Sequence, residues 1–223
     1  MAATRGLSRR EHLDALVGAI DAGLEAAAAA RERALPACRR AIRAAGSSIR
    51  AVHRLDPGAA AARAADAEHA LREAQRVLAP FPAIAHAGFL HDAEKEYVEA
   101  RAVAALVADE PVPGPDDLGV SPTAWMRGVA EAASELRRHL LDRLREGHLE
   151  RGERMLAAMD DVYGALEAVD HPDAVTNGLR RTLDALRAVL ERSRGDVTVT
   201  VVQARLQRAI EAAGPAGRPD GGS

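Results

Sequence analysis

Two groups of carboxylates in the sequence have a spacing that suits metal chemistry. Asp92, Glu96 and Glu99 occupy positions i, i+4 and i+7, and Glu131 and Glu135 occupy positions i and i+4. Residues spaced in this way lie on one face of an α-helix. Two helices would thus each present carboxylates, and oxygen ligands of this kind suit Mg²⁺ or Mn²⁺. Such ions can activate water for attack on a phosphodiester.

The first acidic group lies in a segment that is otherwise largely apolar. The apolar residues spread over most of the circumference of the predicted helix: Phe89, Leu90, Ala93, Tyr97, Ala100, Val103, Leu106 and Val107. This pattern is typical of a buried or interface helix. Carboxylates there need an arginine partner, a metal ion or a water-filled cavity, because burying an unpaired charge is costly. Ordinary surface acids paired with nearby arginines remain the alternative interpretation.

A second pattern consists of basic residues. Five basic residues lie along one stripe of a predicted helix: Arg39, Arg43, Arg50, Arg54 and His53. At about 100° per residue the four arginines fall within an arc of roughly 60°, and the histidine lies just beyond its edge. A row of guanidiniums is suited to phosphate oxygens. No acid occurs in residues 34–55 to support these arginines, although a solvated face without a ligand shows the same pattern.

The composition favours helices and limits the kinds of binding. Hydrophobic residues make up 48% of the chain and aromatic residues only 2%. The chain is rich in the better helix formers and poor in the aromatic residues that favour strands, which predicts an all-α fold. Few rings are available for base stacking, which argues against OB-fold or RRM binding. The net charge of −3 excludes a global basic field.

The elements that position these side chains are predicted to be about seven long helices. Ser8 and Glu11 form a capping-box pattern before the first helix, and Pro36 is expected to open the second. The predicted helices cover residues 9–33, 36–54, 57–78, 84–109, 122–147, 148–169 and 172–194. No helix is expected to cross residues 111–119, which are rich in proline and glycine. After Gly195, residues 197–202 suit strand or helix, and we favour a last helix to 213.

We expect one helical domain over residues 9–213, with disordered termini at 1–8 and 214–223. Cys38 is the only cysteine, so an internal disulfide cannot form, which suits a reducing compartment. No apolar run has the length of a membrane span. The expected location is therefore the cytoplasm, with no membrane partner.

Several blocks of the sequence together resemble the translin family, in particular its prokaryotic members. They extend from about Arg39 to Asp196 and agree in order and spacing. The blocks are Ile49–Arg54, Gly88–Ala100, Gly119–Ala130, Ser134–Arg138, Leu179–Asp184 and Glu191–Asp196. These prokaryotic members resemble translin-associated factor X as much as translin.

The resemblance implies a bundle of about seven long antiparallel helices. This bundle is expected to assemble into an octameric barrel and to bind single-stranded RNA or DNA inside it. In the factor X branch it also implies a Mg²⁺-dependent endoribonuclease built from carboxylates. Two of these match Glu96 and Glu99 in the E-Y-V-E motif, and two match Glu131 and Glu135. The family has Asp at the position of Glu131, whose extra methylene moves the ligand by up to roughly 1.5 Å.

The sequence therefore predicts a homo-oligomer that binds single-stranded nucleic acid. The basic stripe is expected to contact the phosphates. Endoribonuclease activity is the further hypothesis, with Glu96, Glu99, Glu131 and Glu135 as catalytic and Mg²⁺ or Mn²⁺ ligands. The first alternative is a binder without enzymatic activity. The second is a structural helical scaffold, in which the arginine stripe would be salt-bridged to acids of neighbouring helices.

Overall fold

The computed structural model describes residues 8–85 and 87–213. Within them the chain forms nine helices and no strand, which confirms the all-α prediction. Six helices are long: α1 (Arg9–His53), α2 (Pro57–Leu78), α4 (Phe89–Ala108), α6 (Pro122–Arg145), α7 (Leu149–Glu167) and α9 (Leu179–Ala213). Three are single turns: α3 (Pro82–Ala85), α5 (Pro115–Leu118) and α8 (Asp173–Thr176). Disorder is predicted for residues 1–8 and 214–223. Residues 1–7 and 214–223 lie outside the described residues, whereas Ser8 is ordered as the N-cap of α1.

The predicted capping box is present at the start of α1. The Ser8 hydroxyl accepts a hydrogen bond from the Glu11 N–H at 3.3 Å, and the Glu11 carboxylate accepts one from the Ser8 N–H at 2.7 Å. These reciprocal bonds satisfy two N–H groups that have no partner within the helix. Hydrogen bonds from the Ser8 side chain and backbone lower the pKa of Glu11.

The predicted break at Pro36 is wrong, because α1 runs continuously through this proline. A proline inside a helix removes one hydrogen bond and costs about 3 kcal/mol. Buried side chains on both sides of it, including Ala34, Ala37, Cys38 and Ala41, pack the helix and offset this cost. Tertiary packing therefore overrides the local signal.

Further boundaries also differ from the predicted ones. The helix predicted from 172 is interrupted after Thr176, because Asn177 and Gly178 have φ of +53° and +83°, and α9 starts at Leu179. The fourth predicted helix starts at Phe89, since Gly88 has a φ of +97°, outside the helical region. The predicted break at Gly195 is wrong, because α9 passes through it. The helix favoured for residues 197–202 is present. Buried Leu186, Leu190 and Val197 hold this face of α9, which offsets the roughly 1 kcal/mol that a helical glycine costs.

Two compact units are distinguished among the described residues. The first comprises residues 8–85, 87–100 and 115–125, and the second comprises residues 101–114 and 126–213. In the first, α1 packs on α2 through small residues such as Ala41, Ala45 and Ala67, which are fully buried. The buried Ser48 hydroxyl donates to the carbonyl of Ala60 at 2.8 Å and links the two helices. The single domain predicted over 9–213 stays a prediction.

The second unit has its own apolar core, in which α7 packs on α9. Six buried residues form it: Leu136, Leu140, Met155, Met159, Leu190 and Val197. This core fixes α6 along the part that follows the second acidic group.

Two helix ends carry exposed apolar stripes. In the N-terminal part of α1 the stripe comprises Leu13, Leu16, Val17, Ile20 and Leu24. In the C-terminal part of α9 it comprises Val199, Val202, Leu206 and Ile210. Ile20 and Ile210 are each 63% exposed, so these stripes have little cover within the described residues. None of the described helices combines the length and apolarity that a bilayer span requires.

Candidate functional site

The predicted basic stripe lies on the open side of α1. Arg39, Arg43, Arg50 and Arg54 are exposed, and His53 is half-buried at the end of the helix. The arginines project from the side opposite the face that packs on α2, because the alanine-rich buried positions are about half a turn away. The alanine packing on one side of α1 thus presents the guanidiniums together on the other. We call these four residues the α1 arginine face.

The arginines of this face make no ion pair within residues 8–85 and 87–213. The neighbouring Arg40, by contrast, pairs with Glu73 of α2 at 2.6 Å. Arg50 donates a hydrogen bond to the Ser47 hydroxyl at 2.8 Å, within its own helix. The structural-scaffold alternative predicts ion pairs for the arginines of this stripe, and the described residues provide none to these four arginines. The face is therefore available to an anionic ligand.

Each predicted pair of metal ligands lies on one helix of its own compact unit. Glu96 and Glu99 are half-buried on α4, in the first unit, and Asp92 of the same stripe is exposed. Glu131 and Glu135 are half-buried one turn apart on α6, in the second unit. Each pair presents carboxylate oxygens, the ligands that Mg²⁺ prefers.

Basic side chains lie beside these acids. The Lys95 ammonium is 3.1 Å from a carboxylate oxygen of Glu96. The Arg127 guanidinium is 3.9 Å from Glu131, and its buried Nε has no hydrogen-bond partner among the described residues. These cations reduce the repulsion between neighbouring carboxylates. The Arg127–Glu131 contact is long, and the Arg127 Nε keeps its hydrogen-bonding capacity among the described residues.

Glu94 positions the start of α6 and was not identified from the sequence. It is only 7% exposed, and its carboxylate accepts hydrogen bonds from Gln75 of α2 at 2.9 Å and from the Ser121 N–H and hydroxyl at 3.1 and 2.8 Å. Ser121 immediately precedes α6, so this buried acid fixes where α6 begins. The sequence contained one indication of this role, because Glu94 falls between Leu90 and Tyr97 on the apolar face of α4.

The backbone before α6 is held by a second set of contacts. Arg72 of α2 donates to the carbonyls of Leu118 and Gly119, each at 2.9 Å. Gln75 also donates to the Gly119 carbonyl at 2.9 Å. Gly119 has a φ of +53°, a conformation that favours glycine. The start of α6 is therefore anchored from α2 and α4 together.

Comparisons with known proteins agree with this architecture. The crystal structure of AfC3PO is 33% identical to this chain, covers 85% of this chain and 98% of its own, and superposes with a TM-score of 0.78. A complex of AfC3PO with duplex RNA superposes over the same shares of the two chains, at the same identity, with a TM-score of 0.70. Apo-NeC3PO, at 18% identity, covers 82% of this chain and 96% of its own, and its TM-score of 0.73 supports the fold alone.

Sequence comparison alone matches a smaller part of the chain than the structural comparison does. No protein-family model matches the chain. An uncharacterized protein of Methanocaldococcus jannaschii is 30% identical over 135 residues, which are 60% of each sequence. The chain thus spans less than two thirds of that relative's length. The structural matches extend much further, and AfC3PO and NeC3PO are C3PO proteins of the translin type. The chain therefore belongs to the translin family.

Proposed function

We propose that this chain binds single-stranded nucleic acid, with the α1 arginine face on the phosphate backbone. The observation that carries the proposal is the row of four exposed arginines with no ion pair among the described residues. Guanidiniums match phosphate oxygens in both charge and geometry. The complex of AfC3PO with duplex RNA supports a nucleic-acid ligand for this architecture. With aromatic residues at only 2%, binding depends on the backbone rather than on base stacking.

We also propose that the functional form is a homo-oligomer. The resemblance to the translin family implies eight copies of the chain. The exposed apolar stripes of α1 and α9 support this, because monomeric proteins rarely leave contiguous apolar surface uncovered. Burial of these stripes against other copies would remove them from water.

A binding assay with matched variants tests the first proposal. Arg39→Ala/Arg43→Ala/Arg54→Ala removes three charges from the α1 arginine face. Arg10→Ala/Arg31→Ala/Arg63→Ala removes three exposed arginines that are ion-paired in the structure. Fluorescence anisotropy with a single-stranded RNA should show weaker binding by about 10-fold or more for the first variant, and little change for the second. Equal effects of both variants would contradict a specific role for this face.

The solved complex of AfC3PO contains duplex RNA, so the same assay includes a duplex of the same length. We expect the single strand to bind more tightly. Tighter binding of the duplex would be consistent with the proposed phosphate contacts. It would contradict the proposed preference for single strands.

The finer proposal is cleavage of single-stranded RNA. Glu96, Glu99 and Glu131 would hold Mg²⁺ or Mn²⁺, with Glu135 as a fourth carboxylate nearby. The helical spacing within each pair and the half-burial of all four glutamates support this assignment, and oxygen donors are the ligands these ions prefer. Such an ion supplies an activated water and a positive charge beside the phosphate. Arg127, whose Nε has no hydrogen-bond partner among the described residues, would neutralise a neighbouring phosphate oxygen.

Cleavage with and without EDTA separates the enzyme from a binder without activity. Glu99→Gln and Glu131→Gln should each reduce Mg²⁺-dependent cleavage by about 100-fold or more, while RNA binding persists. Asp92→Asn, an exposed acid on the same helix, serves as the control and should retain activity. Wild-type cleavage rates in both glutamine variants would reject the site. Binding without any metal-dependent cleavage in the native protein would favour the non-enzymatic alternative.

A further inference from the structure

A groove in the second compact unit is lined by arginines that the proposed function does not use. It lies between the start of α7 and the C-terminal part of α9 and has a volume of about 670 Å³. Four arginines line it: Arg151, Arg154, Arg205 and Arg208. On α9 the lining residues Val201, Ala204, Arg205 and Arg208 have the spacing i, i+3, i+4 and i+7, so one helix face forms this wall. We call this the α7–α9 groove.

The arginines of the groove make no ion pair within the described part of the chain. Two other arginines of α9 behave differently: Arg180 lies 3.8 Å from Asp170, and Arg194 lies 2.6 Å from Asp160. Arg208 donates only to a carbonyl of its own helix, at 3.2 Å. Four guanidiniums around one groove repel one another. An anion in the groove would remove that repulsion.

The chemistry of the lining identifies the kind of anion. Two glutamates, Glu150 and Glu153, are the only acids beside the four arginines, so the groove is positive in a chain whose net charge is −3. The one ring among the lining residues is that of His148, so guanidiniums outnumber the rings on which a base can stack. Planar guanidinium forks are matched to phosphate oxygens. The positive end of the α7 dipole, at Leu149, opens onto the same groove.

We propose that the α7–α9 groove binds the phosphodiester backbone of single-stranded nucleic acid, as a second phosphate-contacting surface separate from the α1 arginine face. This inference rests on the proposed function, since it assigns a second contact to the same class of ligand. We expect this contact to be independent of base sequence, because guanidinium contacts to phosphates carry no sequence information. A volume of about 670 Å³ lies within the range of roughly 300–1,000 Å³ that accommodates a nucleotide-sized ligand.

Matched double variants on α9 test the inference. Arg205→Ala/Arg208→Ala removes two groove charges, and Arg180→Ala/Arg194→Ala removes two ion-paired charges from the same helix. Anisotropy with a single-stranded RNA over a salt series should show weaker binding by about 10-fold for the groove variant. The slope of log K against log salt should be less steep by about 1.4, at about 0.7 per phosphate contact. The control variant should keep the wild-type slope.

A lysine variant separates charge from structure. Arg205→Lys/Arg208→Lys keeps the charge, so the wild-type slope should return even where affinity falls slightly. An unchanged slope in the alanine variant, with wild-type RNA binding intact, would overturn the groove inference and leave the proposed function standing. A loss in the lysine variant equal to that in the alanine variant would also overturn it, as a structural effect. Absence of RNA binding in the wild-type protein would overturn both.

Discussion

The carboxylate of Glu94 accepts two hydrogen bonds from Ser121, from its N–H at 3.1 Å and from its hydroxyl at 2.8 Å. Since Ser121 directly precedes α6, a buried acid on α4 determines where the helix with Glu131 and Glu135 starts. The placement of the second acidic group therefore depends on a residue that is not itself a proposed ligand.

Removal of this acid should destabilise the fold. Glu94→Ala leaves the Gln75 and Ser121 donors without their buried partner, and we expect the free energy of unfolding to fall by about 3 kcal/mol. Glu73→Ala removes an exposed acid paired with Arg40 and should cost less than about 1 kcal/mol. Denaturant unfolding of both variants checks the difference. Similar losses in the two would contradict an anchoring role for Glu94.

Replacement of glycine by alanine should have opposite effects on stability at two positions. At Gly119 the φ of +53° and the contact of an added Cβ with the Arg72 guanidinium make Gly119→Ala unfavourable, by about 2 kcal/mol or more. Gly18 lies within α1 with open space around it, so Gly18→Ala should stabilise by about 0.5–1 kcal/mol. Thermal unfolding measures both. A stable Gly119→Ala variant would show that the Arg72 contacts are dispensable.

Cys38 should be unreactive in the native protein. It is only 2% exposed, and burial, together with the charge of Glu94, raises the pKa of its thiol to about 11. At about pH 8 only about one thiol in a thousand is then ionised, against about one in four for an ordinary cysteine. Alkylation by iodoacetamide, followed by mass spectrometry, should be fast in denaturant and slow in native buffer. Equally fast labelling in both would contradict this burial.

The exposed apolar stripe of α1 should control assembly. Ile20→Asp places a charge in the centre of the stripe and should lower the mass measured by light scattering, since a buried unpaired charge is unfavourable at an interface. Leu55→Asp is the control, because Leu55 is 54% exposed and outside the stripe. An unchanged mass in Ile20→Asp would exclude this stripe from the oligomer interface.

The sequence predicted the helical class, the Ser8 cap and the position of four arginines on one helix stripe, because these follow from local patterns. It failed at Pro36 and Gly195, where buried side chains of α1 and α9 outweigh a local helix breaker. The role of Glu94 was also missed, because its partners Gln75 and Ser121 are 19 and 27 residues away. Contacts over such distances depend on packing, which helical spacing does not encode.

The salt dependence of RNA binding tests the central claim most directly. Native protein and Arg39→Ala/Arg43→Ala/Arg54→Ala are compared by anisotropy with one single-stranded RNA across a salt series. We predict a steep loss of affinity with salt for the native protein, and a slope shallower by about 2 for the variant, at about 0.7 per lost phosphate contact. Binding that is insensitive to salt, or a variant slope equal to the native one, would contradict phosphate recognition by the α1 arginine face.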